Sequence, residues 1–459
     1  MQLFLPSDSR PVHFVGVAGA GMSALAELVA RRGVRVTGCD ANPNGVHDLE
    51  RLGIQVMPGH DAAHVDGARA LVVTSAMPHD HPELARARAL GIPVVRRAEA
   101  LAAAVSGGDV VGIAGTHGKT TTTVMTTEAL RAAGLDPTGL AGGRVEAWEG
   151  NLFRGGERVF VVEADEYDRS FLALTPRVAV VTNIEADHLD IYADLADIRG
   201  AFAQYVSPAH TIVLCDDDAG ARTLPTPSGT HLLRYGIDST DARVIARDIA
   251  AVGTGSTFVV EYDGERVAEV RLGVPGRHNI LNALAAISSG IALGGEPQRL
   301  ADGLAAFRGV ERRFQRLGEA RGVSVVDDYA HHPSEIRATL GAARSAFPGR
   351  RLVAAFQPHL FSRTRDFARE FGEALSLADV TLITEIYPAR ERPIPGVTAT
   401  LVEDAARAAG ATLAWRGERG ELADALARTV RPGDVVLTLG AGDITKTGPE
   451  LLARLAGRP

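Results

Sequence analysis

The chain has 459 residues, 46% of them apolar and 23% charged, with a net charge of −8. At ~150 residues per domain this length suggests about three packed domains, and the acidic balance argues against a general nucleic-acid binder. Cys39 and Cys215 are too few for a disulfide framework, and no apolar run reaches the ~18 residues needed to span a bilayer. The opening residues lack the charged and apolar stretches of a secretory leader, so a cytoplasmic location with no membrane partner is expected.

Short apolar runs then alternate with helical ones. "HFVGVAG", starting at His13, reads as a strand, "GMSALAELVARRG" as a helix closed by Gly33, and "VRVTGCD" as the next strand. "ALVVTSA" from Ala70 and "IPVVRR" from Ile92 keep the rhythm, which predicts a doubly wound parallel sheet. Gly16, Gly19 and Gly21 lie between the first strand and its helix, with the gaps of a dinucleotide fingerprint inverted. Asp40 ends the second strand, where a ribose-binding acid belongs. Such a turn can accept any diphosphate, or none.

The pattern restarts near residue 107. "VVGIAGTHGKTTTT" is a strand, a glycine turn, then Lys119, Thr120 and Thr121 opening a helix. Of 48 lysines plus arginines, only Lys119 and Lys446 are lysine. A compact ammonium fits a nest of backbone N–H groups around a phosphate, where a longer planar guanidinium does not. The strict P-loop pattern asks for glycine at position 113 and finds Ile113; the glycines are Gly112, Gly115 and Gly118. "VFVVEADEYD" ends a strand at Glu163, and "VAVVTNIEADHLD" ends one at Thr182 with His188 beyond. Glu163 and His188 are candidate Mg²⁺ ligands, although Mg²⁺ prefers oxygen to imidazole. From about Ile237 to Gly273 the texture becomes alternating, with Asp263-Gly264 as a hairpin turn. A third α/β block starts near Gly318, with strands "VSVVDDYA", "RLVAAFQP", "VTLITEIYP" and "DVVLTLGAG". The expected division is 1–106, 107–317 and 318–459.

Taken together, "GAGMS", "GTHGKTTTT", "EADEYDRSF", "TNIEADHLD", "PGRHNILNALAA", "ERRFQ", "DDYAHHPSE" and "QPHLFSRTRDF" resemble the bacterial Mur ligases over essentially the whole chain. The resemblance implies three α/β domains: an N-terminal Rossmann-like domain for a UDP-sugar, a central P-loop ATPase-like domain with a small antiparallel addition, and a C-terminal Rossmann-like domain for an amino acid. It implies ATP- and Mg²⁺-dependent joining of L-alanine to the carboxylate of UDP-N-acetylmuramate through an acyl phosphate, for peptidoglycan synthesis, by a monomer or weak homodimer. Gly115, Thr116, His117, Gly118, Lys119, Thr120 and Thr121 then match the phosphate loop, and His278, Asn279 and Asn282 match an adenine-contacting run. Thr120, Glu163 and His188 match the metal positions. Arg313 matches an arginine near the transferred phosphoryl group, and Asp328 an acid at a nucleotide or hinge contact. Gly19, Ala20, Gly21, Met22, Ser23 and Asp40 fall on the UDP-sugar side. Tyr329, His331, His359 and Arg363 fall near the amino acid, with Arg363 suited to clamp a carboxylate and His359 a candidate base. Leu360-Phe361 replaces an Arg-Tyr pair common in the family, and no lysine is placed to serve as a carbamylated metal ligand. Lys446 carries no assigned role. A recycling ligase that attaches a tripeptide to the same UDP-sugar is the nearest alternative. From other classes, an NAD-dependent dehydrogenase built on Gly16, Gly19 and Gly21 and a P-loop switch ATPase also remain open.

Overall fold

The computed structural model describes residues 3–43, 46–74, 77–78, 80–189, 191–389 and 391–457. The first sheet has β1 (Val12–Val15), β2 (Val36–Asp40), β3 (Gln55–Pro58), β4 (Ala70–Val73) and β5 (Val94–Arg96) in the order β3-β2-β1-β4-β5, every neighbour parallel. β1 and β4 are buried along their whole length, as strands covered on both faces must be, so they read as continuous apolar runs rather than alternation. The run read as a strand from Ala70 is one as far as Val73; Ser75 and Ala76 lie outside the described residues.

The second sheet has β6 (Asp109–Ala114), β7 (Thr138–Val145), β8 (Gly150–Phe153), β9 (Val159–Glu163), β10 (Val178–Val181), β11 (Thr211–Cys215), β12 (His231–Gly236), β13 (Val244–Val252), β14 (Gly255–Tyr262) and β15 (Glu265–Leu272). Their order is β15-β14-β13-β12-β11-β10-β6-β9-β7-β8. The expected hairpin addition is present: Asp263 and Gly264 have φ of 51° and 84°, the paired positive values that reverse a two-residue β-turn. The helix Lys119–Ala132 buries every residue from Thr120 to Leu130. Four consecutive threonines are mediocre helix formers, so this helix is held by its packing rather than by local preference.

The third sheet has β16 (Gln315–Ala320), β17 (Val323–Asp328), β18 (Leu352–Phe356), β19 (Val380–Thr384), β20 (Leu413–Gly417) and β21 (Val435–Leu439), in the order β16-β17-β21-β18-β19-β20. Only β16 runs antiparallel, pairing Gln315 with Asp327 and Ala320 with Val323. The break expected at residue 318 therefore falls inside a strand. The hydrogen bonds of β16 tie residues 315–320 to the third sheet, because an edge strand is held by its ladder and not by its composition. Separate apolar clusters cover the two faces of this sheet, one around Phe356 and Phe371, the other around Leu382 and Leu426.

The three sheets belong to two compact units. One runs to Asp248 and takes in Phe258–Arg271 and Leu281–Phe307, so it holds the first sheet and most of the second; the other has Ile249–Thr257, Leu272–Ile280 and the chain from Arg308 onward.

Candidate active site

In the first unit the parallel register pairs Ile113 with Glu163 and Ala114 with Val181, so β6, β9 and β10 end on one edge. Ligands bind at this carboxyl edge in open α/β sheets. Gly115 and Gly118 bracket the loop there, with φ of 139° and 82°. A Cβ at Gly115 would collide with Thr182 Oγ1, and one at Gly118 would lie 2.7 Å from Asn282 Oδ1. The loop is pinned from β10: Thr182 Oγ1 donates to the His117 carbonyl at 2.7 Å, Asn183 Nδ2 to the same oxygen at 3.1 Å, and His117 N donates to Asn183 Oδ1 at 2.8 Å. Thr116 N reaches the Asn183 carbonyl at 3.1 Å, and Glu185 N reaches Thr116 Oγ1 at 2.9 Å.

Lys119 is the first residue of its helix. Its Nζ donates to the Gly115 carbonyl at 2.7 Å, to Thr116 O at 3.2 Å and to Glu166 Oε1 at 2.9 Å. Those three contacts match the three donors of an ammonium. Burial alone would favour its neutral form; the charges of Glu166 and Asp165 outweigh burial and raise its pKa, so it stays cationic. Glu163 is raised instead, chiefly by burial, against the pull of Lys119. Its carboxylate accepts Gly142 N at 2.7 Å and a hydrogen bond from Thr120. Thr120 and Glu163 thus offer a pair of adjacent oxygen donors of the kind Mg²⁺ prefers. His188, in a left-handed conformation (φ 53°), lies with Nε2 3.5 Å from Glu166 Oε1 and packs edge-on to Tyr167. Burial works against its charged form, but Glu166 and Asp187 win and raise its pKa. Glu166 accordingly titrates below the usual range, Lys119 and His188 outweighing burial. The structure therefore brings Thr120 and Glu163 together and couples His188 to Glu166.

A cavity of about 290 Å³ in the same unit is lined by Gly19, Ala20, Gly21 and Met22 at the start of the helix Ala20–Arg31, by Arg97, and by Gly142, Glu163 and Asp165. It connects the first glycine turn to the carboxylate beside the phosphate loop. Arg97, 3.9 Å from Asp165 across the cavity, is its cation. Two expected residues stand behind the lining. Asp40 accepts Ala18 N at 3.0 Å and Asn42 N at 2.8 Å, which shapes the turn instead of presenting a free acid to a ribose. Ser23 donates to Ala20 O at 3.0 Å and accepts Asn151 Nδ2 at 3.1 Å.

In the second unit Tyr329 is sandwiched by Arg312 and Arg313, whose guanidinium carbons lie 4.7 and 4.9 Å from its ring centre. Arg313 reaches Glu335 at 3.6 Å, and His331 Nδ1 lies 3.1 Å from the same carboxylate. His359 stacks on Tyr387, 5.8 Å between ring centres, and lies 3.5 Å from buried Arg363. Asp328 accepts Phe314 N at 2.7 Å and Ala330 N at 2.8 Å, and burial pushes its pKa up to about 6. It fastens the backbone beside Arg313 and Tyr329. His278 is half-buried and held neutral, its pKa lowered by desolvation to about 4, and Asn279 donates to Pro275 O at 2.7 Å. Sequence reasoning did not single out Glu166, Asn183, Arg97, Arg312, Glu335 or Tyr387. The acidic run after β9 signalled Glu166; Arg97 looks like any surface arginine until the cavity is seen.

A glycine-bracketed strand-to-helix loop with a half-buried lysine and acidic strand ends is the pattern of a phosphate-binding α/β protein. Its sequence matches the Mur ligase family catalytic domain over residues 11–108, the Mur ligase middle domain over 113–290 and the Mur ligase glutamate ligase domain over 312–442. The chain belongs to the Mur ligase family. It is 46% identical over 460 residues to the UDP-N-acetylmuramate–L-alanine ligase of Streptomyces avermitilis, covering 98% of this chain and 99% of that protein. It is 47% identical over 466 residues to the enzyme of the same name from Cutibacterium acnes, covering 100% and 98%. The crystal structure of UDP-N-acetylmuramate-alanine ligase from Thermotoga maritima superposes with a TM-score of 0.83 at 30% identity, covering 97% of this chain and 99% of that one. A murein peptide ligase from Psychrobacter arcticus gives 0.72 at 26% identity, covering 98% and 100%. Membership of this family displaces the dehydrogenase reading of the first glycine turn.

Proposed function

We propose that this enzyme ligates L-alanine to the carboxylate of UDP-N-acetylmuramate, cleaving ATP to ADP and phosphate, as a step of peptidoglycan precursor synthesis. The observation that carries the reading is identity of 46–47% to enzymes of that name along nearly the whole chain. The geometry supports the chemistry. A carboxylate is a poor acyl donor until one of its oxygens becomes a good leaving group. The cavity from Gly19–Met22 to Glu163 is where the sugar's acid would meet the terminal phosphoryl group of ATP held at Gly115–Lys119. The substrate carboxylate oxygen attacks the γ-phosphorus and ADP departs; the alanine nitrogen then attacks the acyl carbon and phosphate departs.

Phosphoryl transfer depends on positioning and charge neutralisation more than on covalent help. In this reading Lys119 neutralises phosphate charge, and Glu166, which also contacts His188, keeps that lysine protonated and aimed. Thr120 and Glu163 would hold Mg²⁺, which supplies further neutralisation of the triphosphate. Arg97 would meet the diphosphate of the UDP-sugar. Arg313 would approach the transferred group, and Arg363 with His359 would take the alanine carboxylate. Residues 1–106 would form the UDP-sugar domain, 107 to about 314 the ATP domain, and the remainder the amino-acid domain. A direct test offers UDP-N-acetylmuramate, ATP and Mg²⁺ with alanine, glycine, serine or the tripeptide, and follows phosphate release and product mass. Alanine is expected to be preferred, with leakage to glycine because one methyl is worth only about 1–3 kcal/mol in a pocket. A preference for the tripeptide would overturn the assignment.

A further inference from the structure

The first sheet carries a second cluster of chemistry-bearing side chains that the ligase reaction does not use. His13 lies in the centre of β1 and is fully buried, an unusual place for an imidazole in an otherwise apolar strand. The parallel register pairs His13 with Thr37 and Val15 with Cys39, so His13 and Cys39 face the same side two positions apart. Glu83, also fully buried, comes from the helix Pro82–Ala89, and His64 from the single turn Ala62–Val65. One nitrogen, sulfur or oxygen from each of these four residues lies within 4.8 Å of the others.

We propose that His13, Cys39, His64 and Glu83 form a tetrahedral binding site for a divalent transition-metal ion of the zinc type.

Three observations support the site. Cys39 Sγ is 3.1 and 3.3 Å from the two Glu83 oxygens, and His64 Nδ1 is 3.1 Å from Glu83 Oε1. Tetrahedral zinc with bonds of ~2.0–2.3 Å spaces its ligand atoms by about 3.3–3.8 Å, so little movement is needed. Secondly, His13 Nδ1 is engaged by Thr37 Oγ1 at 2.9 Å, which fixes the ring and aims Nε2 at the cluster, 3.6 Å from Glu83. That Nε2 is fully buried and makes no hydrogen bond of normal length, Glu83 being its ion-pair contact. Metal-bound histidines are oriented by this kind of contact on the other nitrogen. Thirdly, the charges balance. A thiolate and a carboxylate cancel a divalent cation, so the filled site would bury no net charge. Sulfur and imidazole donors select zinc-type ions over Mg²⁺. On binding, the Cys39 thiol releases its proton to solvent. His64 and His60 line the more exposed side, with His60 Nδ1 3.4 Å from Cys39 Sγ, and give a route in.

The site has a mechanical link to the first glycine turn. The carbonyl of Cys39 accepts Gly16 N at 2.8 Å and Val17 N at 3.0 Å, so an ion on its thiolate would anchor the strand that shapes the turn.

The test uses the purified full chain. Metal content is measured as isolated by mass spectrometry; a chelator-treated sample is then titrated with Co²⁺ and with Zn²⁺. One Co²⁺ per chain is expected, with a thiolate-to-cobalt charge-transfer absorption that Zn²⁺ abolishes and that raises the unfolding temperature on binding. Cys39→Ser should lose the band, His64→Ala should weaken Co²⁺ affinity at least tenfold, and Cys215→Ser should leave both unchanged. Absence of the band in the wild-type chain would overturn the proposal without recourse to any variant. Persistence of the band in folded Cys39→Ser would overturn it equally. An as-isolated chain free of metal that also fails to take up Co²⁺ would identify the cluster as a proton-sharing network instead.

Discussion

The molecule has two glycine-rich turns between a parallel strand and a helix, and they obtain their charge in opposite ways. The turn at Gly115–Gly118 carries its own cation, Lys119, on the first residue of the helix, and a buried partner, Glu166, holds it. The turn at Gly16–Gly21 has no basic residue of its own. Its cation is Arg97, brought to the cavity from after β5, and its shape is fixed by Asp40 from the next strand. The first arrangement puts a compact charge inside a backbone nest, which suits a reacting phosphoryl group. The second puts a long side chain across an open cavity, which suits recognition of a group that does not react. Under the proposed function the same local motif would serve catalysis at one turn and binding at the other, and the difference lies in which element supplies the charge.

The largest effects should come from the reacting turn. Lys119→Ala is expected to lower kcat by ~10³-fold or more, the scale of losing a preorganised charge contact to a transition state. Lys119→Arg should recover little, because a guanidinium cannot make the contacts to Gly115 O, Thr116 O and Glu166. Near-normal turnover in either variant would erase the contrast between the turns. Glu163→Gln should follow, with kcat down by ~10²-fold and a higher Mg²⁺ requirement, measured as phosphate release against Mg²⁺ concentration.

At the other turn the expected signature is different in kind. Arg97→Ala should raise KM for the UDP-sugar by roughly tenfold while kcat changes far less, since it removes binding common to ground and transition states. A fall in kcat with unchanged KM would instead make Arg97 part of the chemistry. Asp40→Ala should destabilise the folded protein by about 1–3 kcal/mol, the cost of leaving the Ala18 and Asn42 N–H groups without their acceptor, read as a lower denaturant midpoint.

The smallest effect lies outside both turns and serves as a control. Asp328 has a folded pKa raised to about 6 from 3.8. Between those values the folded protein holds a proton that the unfolded chain does not, so this group's contribution to stability improves as pH falls from about 6 to 4. Asp328→Asn should flatten that part of the profile, measured as the difference in denaturant midpoint between wild type and variant at each pH.

Local pattern was enough for several features. The alternation of apolar strands with helices identified all three sheets, Asp263-Gly264 identified the hairpin, and "GTHGKTTTT" located the glycine-bracketed loop that opens the helix Lys119–Ala132, because each rests on residues adjacent in the chain. The third block was expected from near Gly318 and its edge strand β16 begins at Gln315, since that strand is defined by its partner β17 and not by its own half-exposed sequence. Asp328 accepts hydrogen bonds from two main-chain amides, a commitment that composition does not reveal.

By itself the sequence determined the elements, the two glycine turns and the identity of the half-buried lysine, since periodicity, φ requirements and side-chain size act over a few residues. Only the tertiary structure decided which distant groups meet: Asn183 on the loop, Glu166 on Lys119, Arg97 in the cavity, and His13, Cys39, His64 and Glu83 around one point. Those meetings are set by strand order and register, which bring together residues tens of positions apart.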